Sequence, residues 1–180
     1  MFRTLIHILI ALGLIVTTLG GTATRARAAC VRDGAVNRWP GGLIPFFLHE
    51  SLTDEQRAIF FVVAEYLELM TDIRFEEEAS DGPGVLVIRQ NGPDTDWSHY
   101  GARTVKWSDD SPGTLLHEIT HGLGFAHEHQ RSDRDESVTV SIGNVKVFER
   151  GNYFIAAQGR TVGDFDFDSV MLYSSCSFTF

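Results

Sequence analysis

The stretch HEITHGLGFAHEHQRSDRD, from His117 to Asp135, decides the fold. Its first thirteen residues hold four of the chain's seven histidines, and a glutamate follows two of them. Ahead of it, Ser111-Pro112 offers an N-cap with proline at the first helical position, which predicts a helix that runs to about Leu123. We therefore expect two histidines on this helix and two beyond its end.

The two histidines on the helix have the spacing of metal ligands. His117 and His121 are four residues apart, so at ~3.6 residues per turn their side chains leave the same face. Two imidazole nitrogens can then reach one zinc ion at ~2.0–2.1 Å. Glu118 points about 100° round the helix. This is too far for a ligand, but it suits a general base that takes a proton from a water activated by the metal.

A third ligand requires the helix to stop. His127 is ten residues beyond His117 and would be rotated by ~280° in a continuous helix. Gly124 lies between them, and glycine readily adopts the left-handed conformation that ends a helix. The pattern H-E-x-x-H-x-x-G-x-x-H therefore predicts one zinc ion, Zn(2+), per chain on His117, His121 and His127. A helix with buried histidines is the simpler alternative, but it leaves the glycine and the third spacing unexplained.

The remaining histidines and the cysteines are not assigned to this site. His129 and His49 have no place in the geometry and are expected to be exposed to solvent. Cys30 and Cys176 could pair in an oxidising compartment, or remain two free thiols; the sequence leaves both alternatives open.

The first residues have the features of a targeting segment. Arg3 precedes an apolar run from Leu5 to Leu19, and Ala-Arg-Ala follows, ending at Ala28. This pattern predicts a secretory signal peptide over residues 1–28. The run is shorter than the ~20 residues that span a bilayer, although an uncleaved anchor is the alternative. We expect a secreted protein, extracellular or periplasmic, with no stable membrane partner after cleavage.

The composition predicts one acidic domain over residues 29–180. The whole chain has 180 residues and a formal net charge of −9, and residues 1–28 contain arginines but no acidic residue. A chain of this size forms one domain with a sizeable core. An acidic surface disfavours nucleic acid and anionic membranes as partners. A monomer is favoured.

Local patterns predict an α+β fold in two layers. Thr53 and Gln56 form a capping-box pair ahead of apolar residues at helical spacing. These apolar residues are Ile59, Val62, Val63, Tyr66 and Met70. Strands are predicted at 44–48, at Arg74-Phe75, at 85–89, near Thr104 and at 138–142; residues 146–154 are predicted to be helical, and 164–168 a strand or extended segment.

The histidine motif and four further segments of the chain resemble a known family. HEITHGLGFAHEHQRSDRD carries the metzincin signature and is similar to the astacin form H-E-x-x-H-x-x-G-x-x-H-E-x-x-R-x-D-R-D. WPGGLIPF, TDIRF, WSHYG and SVMLY resemble the family's start, first-strand region, W-S-x-x-G segment and Met-turn. The resemblance covers most of residues 37–180. It implies a metzincin-like zincin fold, with a mixed sheet and two long helices in the N-terminal part and a reduced C-terminal part.

The resemblance also implies roles for residues outside the histidine motif. Met171 would lie beneath the metal. Tyr173 would be a further ligand at rest that swings away to hydrogen-bond the developing oxyanion. Glu128 would bind the amino terminus of the mature protein. Together with the zinc ligands and Glu118 as base, these roles imply an astacin-like zinc metalloendopeptidase that acts on protein or peptide substrates.

Departures from the family pattern keep a second interpretation open. Leu172 stands where the family has histidine, and Asp72 and Asp96 stand where it has cysteines. The chain also ends at Phe180, just beyond the Met-turn. The alternative is therefore a secreted zinc-binding remnant, catalytically impaired, that acts as a binding protein. A zinc hydrolase of non-peptide substrates would share the ligands but would not explain the Met-turn and the tyrosine.

Overall fold

The computed structural model describes residues 29–32, 39–82, 85–89, 102–107, 109–157 and 159–179. The predicted signal peptide, Asp96 and the WSHYG segment lie outside these ranges. In chain order the regular elements are β1 (Ala29–Arg32), β2 (Leu43–Leu48), α1 (Asp54–Met70), β3 (Arg74–Glu77), β4 (Val85–Arg89), β5 (Ala102–Lys106), α2 (Pro112–Gly122), β6 (Phe125–Ala126) and β7 (Gly159–Val162). Within the described ranges, no helix is long and apolar enough to cross a membrane.

The larger sheet is built from parallel strands and supports both helices. Its order is β3-β2-β4-β5, and each neighbouring pair is parallel. Alternate residues of β2 (Ile44, Phe46 and Leu48) are at most 5% exposed, as expected for a strand with one face in the core. The predicted strands at 44–48, 74–75, 85–89 and near Thr104 are thereby confirmed.

Helix α1 begins at the predicted cap but buries a different face. Thr53 Oγ1 accepts a hydrogen bond from the Gln56 backbone N at 3.1 Å, and Gln56 Oε1 accepts one from the Thr53 backbone N at 3.0 Å. The apolar side chains that enter the core are Phe60, Val63, Ala64 and Leu67. Of the five apolar positions named from the sequence, only Val63 is buried, while Val62, Tyr66 and Met70 are exposed. Apolar side chains of α1 lie on several of its sides, so their spacing in the sequence did not identify the buried face.

Helix α2 carries the histidine motif and is anchored in the same core. Ser111 Oγ accepts from the Thr114 backbone N at 3.3 Å, which confirms the predicted N-cap. Leu115 and Ile119 are fully buried against the core that includes Val105. This burial fixes the helix axis relative to the larger sheet, and with it the direction of the histidines on the opposite face.

A second, three-stranded antiparallel sheet was not predicted. Its order is β6-β1-β7, with Cys30 opposite Ala126 on one side and Thr161 on the other. These strands have two to four residues, which is too short for a recognisable alternation. Cys30 is buried and Cys176 is exposed, and no disulfide joins them in the structure. The structure therefore does not support the disulfide between Cys30 and Cys176.

The remaining C-terminal predictions are confirmed only in part. The predicted strand at 138–142 is wrong: residues 138–141 are irregular and Ile142–Asn144 is a 3-10 turn. The helical prediction for residues 146–154 is confirmed, since Val147–Tyr153 form a 3-10 helix. Residues 164–168 are not a strand: Asp164 is a bend, Phe165 and Asp166 have no regular structure, and Phe167 and Asp168 form a turn. Of the two predicted alternatives, the strand is wrong.

Candidate metal centre

Three imidazole rings converge where the sequence predicts a metal. The Nε2 atom of His127 lies 3.1 Å from Nε2 of His121 and 3.2 Å from Nε2 of His117. Tetrahedral zinc with nitrogen ligands at 2.0–2.1 Å places two such nitrogens roughly 3.3 Å apart. The spacing of the three nitrogen atoms therefore fits one zinc ion.

The chain reversal that brings His127 to the other two histidines occurs at Gly124. Helix α2 ends at Gly122, and Gly124 has a φ of 100°, a conformation that side chains with a Cβ rarely adopt. The Gly124 backbone N donates to the His121 carbonyl at 2.8 Å. Strand β6 then pairs with β1 and leads the chain back to the other two histidines. The predicted role of Gly124 as the helix stop is confirmed.

The outer nitrogen of each ring is held by an oxygen acceptor. His117 Nδ1 lies 2.7 Å from the Val170 carbonyl, and His121 Nδ1 lies 2.8 Å from the Phe125 carbonyl. His127 Nδ1 lies 3.1 Å from Gln130 Oε1. Because these oxygens accept, each Nδ1 carries the proton and each Nε2 presents a lone pair to the centre. Nitrogens with facing lone pairs repel each other unless a cation lies between them.

Metal ligation requires neutral rings, and burial favours the neutral form of two of them. Burial lowers the pKa of His117. Burial also lowers the pKa of His127 to about 2, with a further contribution from the neighbouring His121. His121 and His127 are at most 7% exposed. Two buried imidazoles and one half-buried imidazole in this geometry form a donor set suited to zinc.

Glu118 and Tyr173 lie beside the three imidazoles. Glu118 is only 4% exposed. The Tyr173 ring lies 4.3 Å from the His127 ring between centroids. Burial, with smaller contributions from the nearby Tyr153 and Glu118, raises the pKa of Tyr173 to about 12. The phenol therefore stays protonated at neutral pH and can donate a hydrogen bond.

The SVMLY segment closes the site from the C-terminal side. The Val170 carbonyl orients His117, and the Met171 carbonyl accepts from the Glu128 backbone N at 2.9 Å. Met171 is buried at 5% exposure. The fold thus brings the SVMLY segment next to the histidine motif, although the two segments are distant in the chain.

Glu128 has partners other than an amino terminus in this structure. Its Oε1 atom lies 3.0 Å from Arg131 Nη1 and accepts from the Asp166 backbone N at 3.1 Å. Glu128 and Arg131 are at most 1% exposed. Burial raises the pKa of Glu128, while the Asp166 hydrogen bond and the Arg131 charge oppose this. The expected pairing with an amino terminus stays a prediction.

The prediction that His129 is exposed is wrong. It is 3% exposed, and its ring lies 5.1 Å from the His127 ring and 4.3 Å from the Tyr173 ring. Its Nε2–H donates to the Asn152 carbonyl at 3.0 Å, and burial lowers its pKa to about 4. The 3-10 turn Glu128–Gln130 directs this side chain inward, and the sequence offered no periodicity to indicate it.

Comparisons with known proteins identify relatives along most of the chain. A family model described as Astacin, a peptidase family, matches residues 32–180. Tolloid-like protein 1 of Mus musculus is 30% identical over 168 residues, which cover 85% of this chain and 16% of that protein. Zinc metalloproteinase nas-14 of Caenorhabditis elegans is 29% identical over 153 residues, covering 78% of this chain and 30% of that protein. The chain thus spans less than a third of either relative.

Solved structures show the same fold. High choriolytic enzyme 1, a hatching enzyme zinc-protease from Oryzias latipes, superposes with a TM-score of 0.68 at 21% sequence identity. The match covers 79% of this chain and 74% of that one. Myroilysin superposes with a TM-score of 0.55 at 20% identity, over 84% and 86% of the two chains. The α+β zincin fold predicted from the sequence is confirmed.

Proposed function

The chain belongs to the astacin family of zinc metallopeptidases, and we propose that residues 29–180 form an endopeptidase domain that hydrolyses peptide bonds in proteins or peptides. One observation carries the proposal: the Nε2 atom of His127 lies 3.1 and 3.2 Å from those of His121 and His117, and Tyr173 packs on His127. The residues that would hold zinc are His117, His121 and His127.

Glu118 and Tyr173 would divide the proton chemistry. Bound zinc supplies a Lewis acid that polarises a peptide carbonyl and lowers the pKa of water. Glu118 takes a proton from the attacking water and later gives it to the leaving amine. Tyr173 donates a hydrogen bond to the oxygen that gains negative charge in the transition state. The burial of Glu118 and the raised pKa of Tyr173 support these roles.

Secretion and amino-terminal processing belong to the same proposal. Cleavage of the signal peptide after Ala28 would make Ala29, the first residue of β1, the new amino terminus. Strand β1 lies against the Glu128–Gln130 turn, so the new ammonium could share the Glu128 carboxylate with Arg131. Amino-terminal sequencing of the secreted protein tests this step, and a mature chain that begins elsewhere than Ala29 contradicts it.

Hydrolysis by the purified secreted protein tests the function. We expect cleavage of casein or a quenched fluorescent peptide, its loss with a chelator, and its recovery when zinc is returned. About one zinc per chain should be found by metal analysis. Zinc binding without cleavage of any unfolded substrate would instead favour the zinc-binding remnant.

A further inference from the structure

A cavity beside the metal centre is the feature that the proposed mechanism does not use. Its volume is about 500 Å³, and Tyr173 and His129 form part of its wall. The Tyr173 ring packs on His127 at 4.3 Å between centroids, so one aromatic ring separates the cavity from a metal ligand. Since consecutive Cα atoms are only ~3.8 Å apart, a residue next to a peptide bond held at the metal can place its side chain in this cavity.

The described residues that line the cavity carry no Asp, Glu, Lys or Arg side chain. The lining residue His129 directs its Nε2–H to the Asn152 carbonyl, which is not part of the wall. Hydroxyl and amide groups add uncharged polarity at the rim. The residues that define this chemistry are Val140, Val145, Phe167 and Leu172, with Ser141 and Asn144 as polar members.

We propose that this cavity selects a bulky uncharged side chain next to the cleaved bond, and that Val140 and Leu172 are specificity-determining residues. The inference rests on the proposed peptidase function and names its substrate class. An apolar side chain gains free energy when it leaves water. A carboxylate or ammonium group would lose its hydration without meeting an opposite charge. Protein pockets of about 300–1,000 Å³ accommodate drug-sized ligands, so size does not exclude an aromatic residue.

The nearby charges are engaged outside the cavity wall. Arg150 Nε donates to the Val145 carbonyl at 3.2 Å, and a Glu149 carboxylate oxygen accepts from the Asn152 amide at 2.9 Å. Neither Arg150 nor Glu149 lines the cavity. If Arg150 nevertheless supplied charge to the cavity, the protein would prefer acidic residues, which is the opposite of the proposal.

Cleavage profiling with matched peptides tests the inference. The peptides differ only at the two positions that flank the cleaved bond, which carry Leu, Phe, Glu or Lys. With zinc-loaded protein we expect kcat/KM at one of these positions to be at least about tenfold higher for Leu or Phe than for Glu or Lys. A preference of the wild type for Glu or Lys at both positions would overturn the proposal.

Charge substitutions locate the preference in the cavity. Val140→Arg should shift the preference towards Glu by about tenfold or more, because it adds a cation to the wall. Val147→Arg is the matched control, since Val147 is 63% exposed and does not line the cavity; its profile should equal that of the wild type. If Val140→Arg does not fold, Thr139→Lys, on the same wall, makes the same test. Identical profiles for cavity and control variants would show that the cavity does not select.

Binding measurements separate this inference from the proposed function. Zinc-loaded Glu118→Gln protein is titrated with the same peptides by calorimetry. Selective binding of Leu and Phe peptides by Glu118→Gln, together with no cleavage of any peptide by the zinc-loaded wild type, would retain the inference and reject the peptidase. Cleavage with an acidic or basic preference would retain the peptidase and reject the inference. If the wild type and Glu118→Gln both bind the Leu, Phe, Glu and Lys peptides without preference, the inference is also rejected.

Discussion

At the scale of single residues, Glu118 is expected to separate metal binding from hydrolysis. Glu118→Gln keeps the size of the side chain but cannot take a proton, so kcat/KM should fall by about 10²-fold or more. Metal analysis should still find one zinc per chain. Glu136→Gln, at an exposed position, is the matched control and should leave both measurements unchanged. Near-normal turnover of Glu118→Gln would show that Glu118 is not the general base.

Tyr173 is expected to affect turnover much more than binding. Its hydroxyl is the proposed donor to the transition-state oxygen, so Tyr173→Phe should lower kcat and kcat/KM together by roughly 10–10³-fold. Zinc content and KM should stay close to wild type. Tyr66→Phe on the exposed side of α1 serves as control. If Tyr173→Phe is as active as the wild type, the peptidase function is retained but Tyr173 is not the donor to the transition-state oxygen.

Asp133 should contribute stability that is lost in acid. Arg131 Nε and Nη2 each donate to its carboxylate at 2.8 Å. The hydrogen bonds from Arg131 lower the pKa of Asp133 below its ordinary value of 3.8. This stabilisation is therefore present above about pH 4 and is lost as the pH falls through the lowered folded-state pKa.

Denaturation at several pH values measures this contribution. Asp133→Asn should lower the free energy of unfolding by about 1 kcal/mol at pH 7, a modest value because the Asp133 side chain is 39% exposed and solvent screens the pair. It should also flatten the loss of stability below pH 4. Asp135→Asn, whose side chain is 71% exposed, should change the stability by no more than about 0.5 kcal/mol. Equal acid sensitivity of wild type and Asp133→Asn would contradict the assignment.

The sequence indicated the three converging histidines because helical spacing is a local property of the chain. His117, His121 and the break at Gly124 follow from residues within one short segment. The groups that hold Nδ1 of His117 and His121 are backbone carbonyls, which every residue has, so no side chain marks them. His129 was wrongly predicted to be exposed because its burial depends on Tyr173, a residue distant in the chain.

At the scale of elements, the turn after α2 should control assembly of the site. Gly124 has a φ of 100°, so Gly124→Ala should strain the reversal by about 1–3 kcal/mol and displace His127. Zinc affinity, measured by chelator competition, should fall together with thermal stability. Gly143→Ala is the control, because a Cβ there would meet nothing within 4 Å. Unchanged zinc affinity in Gly124→Ala would show that the reversal tolerates a side chain.

Elements with their own end signals were the predictable ones. Both long helices have N-caps that the sequence displays, at Thr53 and Ser111, and the strands of the larger sheet are apolar or precede turns. The smaller sheet has no such signal, since β1 and β7 exist through their pairing with each other. After residue 127 the contacts are made between distant residues: the buried guanidinium of Arg131 donates to the carbonyls of Gly163 and Asp164, which no local pattern indicates.

At the scale of the whole molecule, zinc should stabilise the fold. A ligand that binds only the folded state contributes about 4 kcal/mol at a free concentration of about 1,000 times its Kd. For a chain of this size that corresponds to a rise in Tm on the order of 10 °C. Thermal unfolding with zinc and with a chelator measures it, and His121→Ala should lose the difference. If the wild type has the same Tm with zinc and with the chelator, zinc does not stabilise the folded state.

The position of β1 between β6 and β7 has a consequence for the timing of synthesis. A ribosome makes β1 first, whereas its partners are made much later, so the sheet has a high contact order and must close late. The carbonyl of Val170 that orients His117 emerges later still. A nascent chain therefore cannot assemble its metal centre before Val170 has been made. Such a delay would protect the cell that produces a peptidase from its own product.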